Sequence, residues 1–316
     1  MATVAEPQPA ELPLPGGQPG ARVRLTPLES GRAAVPPAYL NRTEGRMAKL
    51  RALGLGVPRE QWVTVPVPCF LIEHPTAGLV LVDTGLHPSV AVEPAQNLGR
   101  LLSRWIGEVD FAPERSAAAQ LRARGLDPAK VGTVVMTHLH FDHASAMAEF
   151  PNAVFVFDEL EWEAATAPRS VLRGYVQGQF DHGFDYRTLD FDSEEVSSFA
   201  SFGRSLDLFG DGSIRLLATP GHSRGHVSVA LRLRGREALI CGDAAYTQGT
   251  LDFSELPGIV DDEHLFRRSL REIQRYVELT PGSLVVPGHD LERWEAIAYG
   301  SEPSSSPASS EARRAR

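Results

Sequence analysis

"THLHFDHASAM", residues 137–147, follows the apolar run "VGTVVM" at 131–136. The run reads as a buried strand. Directly behind it, His138, His140, Asp142 and His143 fall within six residues. In an extended chain, residues two apart face the same way, so His138 and His140 can grip one cation together. A turn toward the short segment "ASAMAEF" lets Asp142 and His143 point to a neighbouring position. An isolated histidine is usually structural, but this crowding behind a strand reads as metal binding, and its density favours two cations over one.

Other strand ends supply what this cluster lacks. "TPGHSRGH" carries His222 after a Pro-Gly turn, "CGDAAY" carries Asp243, and "VVPGHD" carries His289. Each lies at a strand-to-loop junction, where a rigid scaffold displays side chains. Together they make five histidines and two aspartates, enough for two sites sharing one carboxylate. His226 is read as a packing or supporting residue, and His74, His87, His182 and His264 receive no role.

The surrounding pattern predicts an α/β fold. "VTVPVPCFLIEH", "AGLVLVDTGL", "NAVFVF", "DGSIRLLATPGH" and "GSLVVPGH" read as strands, and "HVSVALRLRGREALICGD" as a hairpin turning at Arg-Gly-Arg. "PERSAAAQLRARGL" reads as a helix ending at glycine, and "DDEHLFRRSLREIQRYVEL" as a helix with Asp261 or Asp262 near its cap. Strands at both ends with helices between them suit two sheets covered by helices, a four-layer αβ/βα sandwich. Residues 166–210 lack clear periodicity. They are expected to form a lid or a surface insertion, with Tyr175, Phe180, Phe184 and Tyr186 as its aromatic content.

Composition sets outer limits. The chain has 316 residues, 42% hydrophobic and 22% charged, with a formal net charge of −9. That charge argues against nucleic acid or an anionic membrane as partner. Cys69 and Cys241 sit in apolar runs and read as buried free thiols, not a disulfide framework. No apolar run approaches a membrane span. Residues 1–21 lack a signal-peptide pattern and read as a disordered leader, 22–300 as one domain, and 301–316 as a disordered tail. A cytoplasmic location is expected by default, and no oligomeric state is implied.

The ordered set "VDTG", "THLHFDH", "TPGH", "GDA" and "PGHD" resembles the motifs of the metallo-β-lactamase fold hydrolases over residues 63–294. The resemblance implies the αβ/βα sandwich and a dinuclear centre at a shared sheet edge. It implies that His138, His140 and His222 hold one cation, that Asp142, His143 and His289 hold the other, and that Asp243 bridges. It implies that Asp83 of "VDTG" orients a ligand. Imidazole and carboxylate donors favour zinc as the divalent ion, with iron, manganese or cobalt also suited.

Within that family the sequence looks most like the N-acyl-homoserine lactonases, the quorum-quenching enzymes. The phenylalanine in "HLHFDHA", the tyrosine in "GDAAYT" and the closing "PGHD" carry this. The resemblance implies a metal-dependent hydrolase that opens the ester ring of a lactone, with a hydroxide held between the cations as nucleophile. Tyr246 is expected to donate to the oxyanion, and Asp142 to carry a proton to the leaving oxygen. Leu86, Phe141 and Tyr246 are the expected substrate contacts. Two alternatives stay open: another hydrolase of the same fold, acting on a different lactone, ester or glyoxalase-II-like thioester, and a non-catalytic metal-stabilised binding protein.

Overall fold

A computed structural model describes residues 4–105 and 109–298. The tail expected at 301–316 lies outside the described residues. Among the described residues, fourteen strands are seen in chain order. They are β1 (Gln8–Pro9), β2 (Arg24–Val35), β3 (Val63–His74), β4 (Gly78–Val82), β5 (Val109–Asp110), β6 (Val131–Val135) and β7 (Val154–Asp158), then β8 (Asp185–Leu189), β9 (Ser197–Phe199), β10 (Phe202–Asp207), β11 (Ile214–Ala218), β12 (Val227–Arg232), β13 (Glu237–Gly242) and β14 (Leu284–Pro287). One sheet runs β1-β8-β7-β6-β4-β3-β2-β5, the other β14-β13-β12-β11-β10-β9.

Period-two alternation decides which side chain enters which layer. Along β3 and β4, Phe70, Ile72, Val80 and Val82 point into the core between the sheets. There they meet Ile214, Leu216, Val229 and Ile240 of the second sheet. The intervening Leu71 and Leu81 face outward, onto the helix Ala117–Ala123. On the far side, Leu217, Ala230 and Leu239 bury Phe266, Leu270 and Ile273 of the helix Glu263–Leu279, whose first turn is capped by Asp262. Helix, sheet, sheet and helix stack as the expected four layers. Cys69 and Cys241 are free and buried.

Two prolines shape the edge that carries the site. Pro66 and Pro68 of β3 cannot donate to the ladder. Opposite them β2 shifts register between Glu29 and Arg32, and Gly31 takes a positive φ of 153°. This bulge turns the Ser30 hydroxyl to donate to Val67 O at 2.9 Å and to accept from Leu86 N at 3.1 Å, which pins the loop after β4.

Two expectations need correction. Residues 4–21 are not a disordered leader. Val4 N and Ala5 N donate to Asp181 Oδ1 at 2.7 and 2.9 Å, and β1 pairs in parallel with β8. Leu12 and Leu14 pack against the inter-sheet core. Proline-rich composition hides this because an edge strand needs few of its own N–H groups.

Residues 166–210 are not an insertion either. They supply β8, β9 and β10, and Phe180 and Tyr186 are buried in the layer under the first sheet. Among the described residues, no helix is long and apolar enough to cross a membrane.

Candidate metal centre

The loops after β4, β6, β11, β13 and β14 converge at one edge of the sandwich. Backbone bonds stitch them together: Asp83 N to Val135 O, Thr84 N to His143 O, Val227 N to Thr137 O and His289 N to Tyr246 O, at 2.8–3.0 Å. The seven expected ligands all come to this edge. Their donor atoms form three overlapping groups, each within 4.8 Å: His138, His140 and His222; His138, His143 and Asp243; Asp142, His143 and His289.

The protons on these rings can be assigned from their outer partners. Asp83, held at a positive φ of 57°, accepts from Thr137 N at 2.7 Å and Thr137 Oγ1 at 2.8 Å. Its Oδ2 also lies 2.8 Å from His143 Nδ1, so that nitrogen donates and Nε2 is the atom turned inward. Because the Thr137 hydroxyl gives its proton to Asp83, His138 Nδ1, 3.0 Å away, donates to Thr137 Oγ1. His289 Nδ1 lies 3.1 Å from Pro66 O, an acceptor only. Each of these three rings therefore turns its Nε2 inward.

The inward atoms crowd together. His222 Nε2 is 2.9 Å from His140 Nδ1 and 3.2 Å from His138 Nε2. Ligands about 2.0–2.1 Å from one tetrahedral zinc stand about 3.3 Å apart, so the spacing suits a shared cation. Asp243 Oδ2 is 3.3 Å from both His222 Nε2 and His289 Nε2, while Oδ1 is 3.4 Å from His143 Nε2. One carboxylate thus faces both halves of the cluster. His143 Nε2 and Asp243 Oδ1 are buried without a hydrogen-bond partner, a costly state that a cation would relieve. The residues fit a pair of divalent ions.

The local field agrees. Burial pushes the His138, His140 and His222 pKa values down, which keeps these rings neutral. Burial also works against the Asp243 charge, but His289, His222 and His143 outweigh it and hold the carboxyl below its usual range. Burial lowers His143 and His289, but Asp142, Asp83 and Asp243 outweigh it at His143, and Asp243 and Asp142 at His289, which favours a proton on their inward nitrogens that a bound cation would displace. Three buried or half-buried carboxylates beside the neutral rings of His138, His140 and His222 make a negative set that suits a cation.

His226 is a supporting residue, as expected. Its Nε2 accepts from Asp243 N at 2.9 Å, and its Nδ1 lies 2.9 Å from Thr219 Oγ1. Burial lowers its pKa to about 3, so it stays neutral. Gly242 is required here, since a Cβ would lie 2.7 Å from His226 Nε2.

A cavity of about 390 Å³ opens over His140, Asp142 and His222, walled by Leu53, Val171, Leu172 and Val260. Phe141 lines it. Tyr246 forms part of its wall, but the side chain is fully buried and its hydroxyl lies 3.0 Å from His222 Nδ1. Leu86 does not reach this cavity. It packs with Val67, Val90, Leu98 and Phe111, and lines a narrower apolar pocket beside Asp142 and His289.

Sequence reasoning missed two residues. Glu161 is fully buried and accepts from Leu139 N at 2.9 Å, Tyr175 Oη at 3.0 Å and Gly225 N at 3.1 Å, tying two ligand loops together. Tyr39 borders both pockets. Neither stands in a motif, and Glu161 looks like the polar face of a surface helix.

Comparison with known proteins agrees with this geometry. The N-acyl homoserine lactonase AttM of Azorhizobium caulinodans is 34% identical over 241 residues, covering 74% of this chain and 85% of that protein. A probable metallo-hydrolase of Mycobacterium tuberculosis is 34% identical over 266 residues, covering 80% and 83%. The fold matches the solved structure of an N-acyl homoserine lactone hydrolase with N-hexanoyl-L-homoserine bound at its catalytic metal center, with TM-score 0.67 and 23% identity over 87% of this chain and 96% of that one. The family model of the metallo-beta-lactamase superfamily spans residues 62–289, from β3 to the last of the clustered histidines, and the chain belongs to that superfamily.

Proposed function

We propose that this protein is a metal-dependent hydrolase that opens the ester ring of N-acyl homoserine lactones. His138, His140 and His222 would hold one divalent cation; Asp142, His143 and His289 would hold a second; Asp243 would be shared. Zinc suits the donor set. The observation that carries the reading is the convergence of imidazole and carboxylate donor atoms at one edge, with His140, Asp142 and His222 opening onto an apolar-walled cavity. When bound, the two cations would supply a water-derived nucleophile at neutral pH and polarise the ester carbonyl.

The chain's own residues have distinct tasks. Asp83 fixes the tautomer and angle of His143. Asp142, less buried than Asp243, borders both pockets and would carry the attacking water's proton to the departing ring oxygen. Leu53, Val171, Leu172 and Phe141 give the apolar wall an acyl chain requires. The lactonase relatives supply the substrate class.

Purified protein of measured metal content should hold about two ions per chain and release acid from N-acyl homoserine lactones. No acid release at any acyl length sinks this reading. A second reading, another hydrolase of the same fold acting on a different ester or thioester, stays open beside the mycobacterial metallo-hydrolase, whose name carries no lactone and which matches over a longer stretch. Esters and thioesters in the same assay separate the two.

A further inference from the structure

Glu161 is a buried acid outside every motif. It stands in the first turn of the helix Glu159–Thr166 and has no exposed surface. Among the described residues it pairs with no arginine, lysine or histidine; its partners are three hydrogen-bond donors. Oε1 accepts from Leu139 N at 2.9 Å and Tyr175 Oη at 3.0 Å, and Oε2 accepts from Gly225 N at 3.1 Å. Leu139 lies between His138 and His140, and Gly225 lies in the loop that carries His222. One carboxylate therefore joins the two loops that supply three clustered imidazoles. The approach is tight: a Cβ on Gly225 would lie 2.4 Å from Glu161 N, so only glycine lets this loop come so near the helix. A buried charge without an ion pair is costly, and a cation held by these imidazoles would offset that cost.

The third donor leads to His140. The rings of His138, His143 and His289 each have an acceptor behind them. His140 turns Nδ1 inward, toward His222 Nε2 at 2.9 Å, and no described residue accepts a hydrogen bond from its outer nitrogen. Packing holds it instead. Its ring centre lies 4.6 Å from that of Tyr175 at an angle of 52°, its backbone bridges to Tyr175, and a Cβ on Gly174 would lie 3.2 Å from its Cδ2. Phe141 N donates to Gly174 O at 3.0 Å, which fixes the same strip of chain to the ligand loop. Tyr175 is 2% exposed, with the Arg173 guanidinium 5.9 Å from its ring centre, and its hydroxyl ends on Glu161.

We propose that Glu161 is a positioning residue for the cation site of His138, His140 and His222, acting through the backbone of both ligand loops and, by way of Tyr175, on the ring of His140. This rests on the metal assignment of the hydrolase reading above and adds the side chain that sets one of its two sites. The other set hangs from different supports. Asp83 and Thr84 hold His143, and Pro66 O and the Tyr246 backbone hold His289. Loss of Glu161 therefore separates the two cations. Glutamine cannot stand in for it. The two backbone N–H groups reach different carboxylate oxygens, and an amide offers only one, so one N–H would face an NH2 group.

The test uses the full-length chain, stripped of metal and titrated with Co2+ against a chromophoric chelator, with the cobalt absorption recorded at each step. Glu161→Gln and Tyr175→Phe are compared with wild type. Leu121→Ala, which removes a buried side chain from a helix that carries no ligand, is the stability control. In Glu161→Gln the affinity of one ion should fall roughly ten- to a hundredfold and its cobalt spectrum should shift, while the other ion binds as in wild type. Tyr175→Phe keeps both backbone bonds and should weaken the same ion by less. Leu121→Ala should lower Tm and leave both affinities unchanged. Wild-type affinities and spectra in a folded Glu161→Gln overturn the proposal, and so does an equal loss at both ions, the mark of a merely structural role. If Glu161→Gln does not fold, Tyr175→Phe decides, and unchanged affinity for both ions overturns it. A wild type that binds both ions but releases no acid from lactones or esters sinks the hydrolase reading, while Glu161 is still judged on metal affinity. A wild type that takes up no ion overturns both.

Discussion

Asp243 meets imidazoles from three different loops: His143 after β6, His222 after β11 and His289 after β14. The approach is close enough that a Cβ on Gly288 would lie 2.8 Å from Asp243 Oδ1, so the glycine of "PGHD" leaves room for the carboxylate. A single side chain facing both halves makes a sharp prediction. Asp243→Ala should lower the content of both metals, read by elemental analysis after purification without chelator. Loss of one ion with the other retained at full occupancy would show that Asp243 belongs to one site only. The residues at this scale were visible in the sequence because each ligand directly follows an apolar strand. Their tautomers were not, because those depend on partners far away in the chain, such as Pro66 for His289.

The helix Glu159–Thr166 shows what an element adds. Asp158 caps it, accepting from Leu160 N at 2.7 Å, and Glu161 on its first turn binds both ligand loops. Burial raises the Asp158 carboxyl to about 7, well above its unfolded value near 3.9. The sign follows from linkage: the native state binds this proton more tightly, so Asp158 favours the fold least once pH has risen past about 7. Asn at this position keeps an oxygen for the cap and carries no charge. Asp158→Asn should therefore gain stability over wild type between pH 4 and pH 8, with the Tm gap widening by roughly 5 °C. A gap that does not change with pH would mean that Asp158 stays protonated or hydrated. Long periodic elements, such as β3 and the helix Glu263–Leu279, were legible from hydropathy. Residues 166–210 were not, because they break into a 3-10 turn, a four-residue helix and three short strands, none long enough to show a period.

At the scale of the whole molecule, the two sheets open toward the metal edge, and residues 4–21 clasp another part of the sandwich. His74 Nδ1 accepts from Thr76 N at 3.2 Å and Ala77 N at 2.9 Å, so Nε2–H donates to Asp211 Oδ2 at 3.0 Å. Gln18 N donates to the same carboxylate oxygen at 2.8 Å, and Thr76 Oγ1 to Gly16 O at 2.6 Å. Burial opposes the Asp211 charge, but hydrogen bonds from Ser213, Gln18 and His74 outweigh it and hold the carboxyl at about 2. That contribution is present above the unfolded value near 3.9 and is lost as pH falls toward about 2. Along the same segment, Ala5 is buried and Leu12 and Leu14 cover the core between the sheets. None of these residues lines either pocket at the metal edge. Deleting residues 1–21 should therefore uncouple stability from the site. Exposing the surface under two leucines costs on the order of 3–5 kcal/mol, and Tm should fall by roughly 10 °C at neutral pH. The stability lost by wild type between pH 4 and pH 2 should shrink in the truncated chain, since Asp211 no longer binds Gln18. Metal content at 25 °C should stay at the wild-type level. An unchanged Tm would show that residues 4–21 do not hold the sandwich together, whereas loss of metal at temperatures where the fold persists would show that the clasp also sets the geometry of the metal edge.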